Sequence, residues 1–280
     1  MSPLRAPFSE LRRQLRALPD GPIRELAAAR ALAALSPEEA AECLEAALGL
    51  ARRGSPAEAS VSWAICQATR PEAGLPYDQL VEMYRVARER KLLSAALLLA
   101  PLPVRTAPVG NPSAAGAGEL SLGHRRALAR TLAPGLVDRL AADADAGVVR
   151  ELLRNPRLTE REVLRIATRR PARQDVLEAI AGSRFCQRTR VKTALARNPY
   201  SPPLMALRLV AHLPGAALRE MAVDGTLHPE VRRLASALLS ATTASQAPLE
   251  PVGGGADPAR REDDRERDRE DAEVGPGERR

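Results

Sequence analysis

The sequence predicts an all-α protein, and three observations carry the prediction. Hydrophobic residues are 45% of the 280-residue chain while aromatics are only 2%, so the apolar content is mostly Ala, Leu and Val; strong helix formers dominate, and the aromatic and β-branched mixture typical of sheets is scarce. Apolar positions recur at intervals of three and four through most of the chain. Finally, "LLRNPRLTE" at 152–160 returns as "LARNPYSPP" at 195–203, a shift of 43 residues.

The first section, residues 1–100, reads as five or six short helices. "DGPIREL" sets Pro22 in a first turn. "SPEE" pairs Ser36 with Glu39 in a capping box with Pro37 at the first helical position, and "SPAE" offers the same arrangement with Ser55 and Glu58. The apolar positions that recur at three and four are Ile23, Leu26, Ala27 and the run Arg30 to Leu35, then Cys43, Leu44, Ala47, Leu48 and Ala51, then Val61, Ala64, Ile65 and Ala68. Helices of about four turns are too short to stand alone and must pack on one another.

Residues 101–120 are rich in Pro, Gly and Ala and cannot continue a helix, so they read as a linker or long loop. Residues 121–241 contain the repeat. From 242 the chain is charged with almost no large apolar residue, too little to offset the entropy of ordering, so it reads as a disordered tail.

The shift of 43 aligns Val148 with Val191, Leu152 with Leu195, Arg154-Asn155-Pro156 with Arg197-Asn198-Pro199, Leu164 with Leu207, Arg165 with Arg208, and Pro171 with Pro214. Asn tolerates the left-handed conformation that often ends a helix, and a proline after it prevents continuation. Thr159 with Glu162 would cap the following helix in the first copy, and Ser201 with Pro202 in the second. Arg-Asn-Pro therefore reads as a hinge between two antiparallel helices, with Pro171 and Pro214 ending the second of each pair. Helices of one apolar face repeating at about 43 residues form an α-solenoid.

"ADADAGVVRELLRNPRLTEREVL" and "VKTALARNPYSPPLMALRLVAHL" resemble HEAT-type helical repeats, and especially the leucine-rich repeat variant with its "A-x-N-P-x-[ST]-P" wording. The resemblance covers residues 136–240, and "TLHPEVRRLASALL" is similar to a closing HEAT helix. It implies a bacterial α-solenoid of antiparallel helix pairs and brings no activity with it. The cysteine cluster of the iron–sulfur variant proteins is missing, so that cofactor is not carried over.

The residues themselves offer little chemistry. Cys43, Cys66 and Cys186 lack C-x-x-C spacing and read as buried thiols. His124, His212 and His228 stand apart from any metal-ligand pattern and read as structural; Asp143 and Asp145 read as a helix-to-helix turn. No phosphate loop or nucleophile elbow occurs. The reading is a non-enzyme with no cofactor or metal. No apolar run approaches the length of a membrane span, and "MSPLRAPFSELRRQL" lacks a signal peptide's apolar segment, which gives a cytoplasmic expectation.

The +7 net charge is concentrated in the middle. Residues 1–118 carry 14 basic and 12 acidic side chains, 119–240 carry 21 and 12, and 241–280 carry 7 and 11. Arg161, Arg165 and Arg169 are spaced at four on one helical face, and Arg154 and Arg165 recur as Arg197 and Arg208. In a solenoid, equivalent positions line one surface, so these six arginines are the candidate partner-binding residues. Two readings stay open: a scaffold holding a protein partner through the repeat surface, or phosphate-backbone binding to nucleic acid along an arginine strip. Glu151, Glu160, Glu162, Asp175 and Glu178 would neutralise part of that strip, and the tail, net −4, could lie over it.

Overall fold

The structure is a computed structural model, and it describes residues 5–98, 102–103, 105–106, 120–131, 136–141, 143 and 145–246. Among these every regular element is helical, with no strand. Most of the linker expected at 101–120 lies outside the described residues, as does the tail expected from 242 apart from 242–246, which continue a helix rather than beginning the tail. Contacts divide the chain into a compact unit, Met1–Thr242, and a second unit, Thr243–Arg280, of which only the last turn of a helix is described.

Five helices build the N-terminal part: α1 Arg5–Arg16, α2 Pro22–Ala33, α3 Pro37–Arg53, α4 Pro56–Gln67 and α5 Tyr77–Glu89, with 3-10 turns at Pro71–Ala73 and Leu93–Leu97. The capping box at Ser36 forms as its sequence predicts: Glu39 N donates to Ser36 Oγ at 3.3 Å, and Ser36 N donates to the Glu39 carboxylate at 3.1 Å. The box expected at Ser55 does not form, because the Glu58 carboxylate is taken by Arg12 of α1. The expected face of α2 is also corrected. Ile23 and Leu26 are exposed, Leu32 of the expected run is buried, and the helix also buries Arg24, Ala28 and Ala29. Two alanines let α2 approach α4 closely, and the Arg24 guanidinium is held by the Leu18 carbonyl, by Ser60 Oγ and by Asp20. Helix α4 is buried all round from Val61 to Gln67, which makes it the centre of this part.

Nine helices follow: α6 Leu122–Thr131, α7 Val137–Ala141, α8 Ala146–Arg154, α9 Glu160–Ala167, α10 Gln174–Ala181, α11 Thr189–Ala196, α12 Pro203–Val210, α13 Gly215–Val223 and α14 Pro229–Gln246. Adding 43 to the bounds of α8 and α9 gives those of α11 and α12 within one residue, and α10 maps onto α13 within two. Each period therefore holds three helices, one more than the expected pair. Helix α8 packs against α6 and α10, and α9 against α7 and α11.

The Asn-Pro turns work differently from the expectation. Asn155 has φ −66° and ψ 125°, and Lys91 is the one non-glycine residue with positive φ among those described, so neither asparagine is left-handed. Both are instead buried, at 5% and 2% exposure. Asn155 Nδ2 donates to the carbonyls of Ala129 and Arg130 at the end of α6, at 3.1 and 2.6 Å, and Oδ1 accepts from Arg157 N at 3.0 Å. Asn198 repeats the pattern: Nδ2 donates to Ala167 and Arg169 carbonyls at the end of α9, at 2.8 and 3.0 Å, and Oδ1 accepts from Tyr200 N at 3.0 Å. Helix ends leave carbonyls without intrahelical partners, and each asparagine supplies donors to the helix stacked beside its own.

Thr159 and Glu162 form their capping box. Ser201 does not cap α12. It points inward and donates to the Leu195 carbonyl at 2.6 Å, leaving Pro202 as the N-cap. Asp145 caps α8 by accepting from Val148 N, and Asp143 pairs with Arg125 at 2.7 Å, which agrees with the expected turn.

Candidate interaction surface and the interior beside it

The six arginines do not form one line. Arg161 and Arg165, both exposed on α9, edge a shallow depression with Arg190, Leu164, Thr168 and Glu160. Arg169 is exposed just beyond the end of α9. Arg154 lies 3.2 Å from Glu151, which also accepts from Arg130 at 3.0 Å; these cations hold the Glu151 carboxyl below its ordinary range, the Arg130 bond foremost. Arg197 pairs with Glu220 of α13 at 2.5 Å. A second depression is edged by Arg150, Arg154 and Arg184 around Glu178, whose carboxyl is pushed up by burial and by the negative charges of Asp175 and Glu72. Of the other carboxylates expected to offset the strip, Glu160 faces Arg188 at 3.9 Å and Asp175 pairs with Arg173 at 2.7 Å. The surface is thus interleaved, with a carboxylate beside most of its guanidinium groups.

Arg208 is elsewhere. It is 7% exposed, and the expectation that it shares a surface with Arg165 is corrected. Helix α9 turns this position outward, whereas α12 faces the N-terminal helices, so the equivalent side chain is driven inward. Its guanidinium donates to Thr69 Oγ1 and to the Thr69 carbonyl, both at 3.2 Å, just beyond α4. Burial and the positive charge of Arg70 lower its pKa to about 10.

Around Arg208 lies a polar interior that sequence reasoning divides between two regions. His212 Nδ1 is 3.0 Å from the Arg208 carbonyl, which can only accept, so the ring carries its proton there. His212 Nε2 is 3.2 Å from Ser62 Oγ, which also donates to the Ala47 carbonyl at 2.6 Å. Ser62 has one hydroxyl proton for these two acceptors. Protonating the ring would relieve the competition, but burial and the charge of Lys192 push its pKa down to about 4. Trp63 packs edge-on against His212 with ring centroids 5.2 Å apart, and Lys192 Nζ lies 4.4 Å from the Trp63 ring centroid. Burial also lowers the Lys192 pKa. Trp63, Ser62 and Thr69 thus tie α4 and its end to α11 and α12; nothing in their local sequence signals a partner some 140 residues away.

The thiols are enclosed as expected. Cys43, Cys66 and Cys186 are unpaired and buried, and burial pushes Cys66 and Cys186 up to about 12 and Cys43 to about 11. His228 has the structural role its position suggests, accepting from Glu230 N through Nδ1 at 3.2 Å in the first turn of α14. Among the described residues no three His, Cys, Asp or Glu side chains gather as a metal ion would need, and no helix is long and apolar enough to cross a membrane. The chain matches no family model, no curated protein and no solved structure.

Proposed function

We propose that this chain is a non-catalytic, cytoplasmic scaffold of HEAT-like, leucine-rich-repeat-variant character, an α-solenoid that holds a protein partner against the face carrying Arg154, Arg161, Arg165, Arg169 and Arg197. The observation that carries the reading is the pair of asparagine ties 43 residues apart, each joining the end of one helix to the end of the helix stacked beside it. Ties made between backbone carbonyls and an inward side chain fasten the turns from within, and a repeat held together from within can have its outer surface shaped to a ligand.

The charge pattern favours protein over polyanion. A nucleic-acid backbone gains affinity from uncompensated cations. Here Arg154 and Arg197 have carboxylates within 3.2 Å, and Arg208 is inside. A mixed surface suits a partner that presents both signs.

The test compares the full-length chain with an Arg161→Glu/Arg165→Glu variant. Photo-crosslinking from position 190, exposed at the edge of the same depression, should yield in cell extract a discrete protein adduct that the variant loses, while duplex DNA at about 50 mM salt binds both chains equally weakly. Tight, steeply salt-dependent DNA binding that disappears in the variant, with no protein adduct, would replace the scaffold reading with nucleic-acid binding.

A further inference from the structure

Two of the three tyrosines fall on one face of α5 in a chain with 2% aromatics. Tyr77, Val81, Tyr84 and Arg88 are spaced four, three and four, which puts them on a single stripe. Tyr77 is 71% exposed and Val81 37%; Tyr84 is half-buried, with the Arg88 guanidinium 5.9 Å from its ring centroid. At 1.5 Å per residue the stripe is about 16 Å long, roughly three helical turns. It runs into a groove between the end of α5 with the turn Leu93–Leu97 and helix α14. The floor is small and aliphatic: Ala87, Ala95, Ala96, Leu207, Leu234 and Ala237.

The mouth is cationic. Arg88, Lys91 and Arg233 stand at it against one carboxylate, Glu230, which is already 2.7 Å from Arg233. Lys91 is notable for its backbone as well as its charge. At φ 54° it occupies the left-handed position that closes α5, where Leu92 N donates to the Ala87 carbonyl at 2.8 Å and Lys91 N to the Arg88 carbonyl at 3.2 Å. Glycine is the favoured residue there, and a side chain costs about 1 kcal/mol. A long cation held in a conformation that disfavours it, at the edge of an apolar groove, is the combination expected where the cation serves recognition.

We infer that this groove binds an amphipathic helix of a partner protein, with an aliphatic face and acidic flanking positions. The alanine floor leaves room between α5 and α14 for inserted side chains. The length of the stripe accommodates anchors at i, i+3 or i+4, and i+7. Three cations against one paired carboxylate select negative flanks. The inference involves different helices from the arginine face and stands without that reading.

The experiment titrates full-length protein into two fluorescein-labelled synthetic helices of about five turns. Both carry the same Leu/Ala face, one with Glu and the other with Lys on its polar face. Anisotropy should saturate with the Glu peptide and not with the Lys peptide. Lys91→Gly, which removes the cation while relieving the backbone, should weaken binding several-fold with no loss of thermal stability, and Lys91→Glu/Arg233→Glu should weaken it at least tenfold. Equal binding of the two peptides, Glu-peptide affinity unchanged in both variants, or retention on phosphatidylserine vesicles without peptide binding would each overturn the proposal.

Discussion

The side-chain amide of Asn155 donates to the carbonyl of Arg130 at 2.6 Å, and 43 residues later Asn198 reaches in the same way to the carbonyl of Arg169 at 3.0 Å. Each asparagine closes its own turn through Oδ1 and ties down a neighbouring helix through Nδ2. The repeated tripeptide is therefore a tertiary fastening as well as a helix stop. Its proline does what proline does at any helix end, and its arginine is paired at the surface to Glu151 in one copy and Glu220 in the other.

Equivalent arginines in the two copies should respond unequally to truncation. Arg208→Ala removes two buried hydrogen bonds to Thr69 and should cost about 2 to 3 kcal/mol in urea unfolding. Arg165→Ala, at an exposed site, should stay within about 0.5 kcal/mol. Equal effects would show that the two positions share one environment.

His212 should make the folded state lose stability on mild acidification. The neutral ring is the folded form, so stability is full above the ordinary pKa of 6.5 and falls as pH drops from 6.5 towards the folded value of about 4, below which the loss levels off. The loss from this group is at most about 3 kcal/mol, less whatever the ring's partial exposure restores. His212→Gln should flatten the slope between pH 6.5 and 4 relative to the parent chain; an identical slope would remove His212 as its source.

The three thiols should be silent in the native protein. With Cys66 and Cys186 raised to about 12 and Cys43 to about 11, the thiolate fraction at pH 8 is very small and the sulfurs are enclosed. A disulfide reagent at pH 8 should titrate three thiols in denaturant and none within minutes without it. Rapid reaction of any one in the native chain would contradict the packing around α3, α4 or the Arg184–Gln187 turn.

Lys91→Gly should raise the unfolding free energy by about 1 kcal/mol, because the position that ends α5 has φ 54° and glycine enters it without a Cβ penalty. A decrease would show that the Lys91 side chain contributes more to the fold than its backbone costs.

Helix identity was legible because it is local. Capping at Ser36 and Thr159 and the apolar face of α3 follow from short-range spacing, and the 43-residue period from direct recurrence of the same words. What failed depended on neighbours. Glu58 was equally suited to a capping box, but a guanidinium from α1 reaches it first. Arg208 and Arg165 occupy equivalent positions of a repeat whose second copy is covered by α4 and the segment after it, so one sequence rule meets two environments. The Ser62–His212 contact spans 150 residues and no pattern encodes it. The asparagines sit between these cases: their recurrence was visible, and their partners were not.

The most direct measurement is urea unfolding of Asn155→Gly and Asn198→Gly beside the corresponding alanine variants. If the asparagines acted by adopting a left-handed helix end, glycine would substitute without loss or with a gain. With φ negative at both and two carbonyls on each Nδ2, glycine should cost at least as much as alanine, about 2 to 3 kcal/mol at either position. Glycine variants as stable as the parent chain would contradict the account.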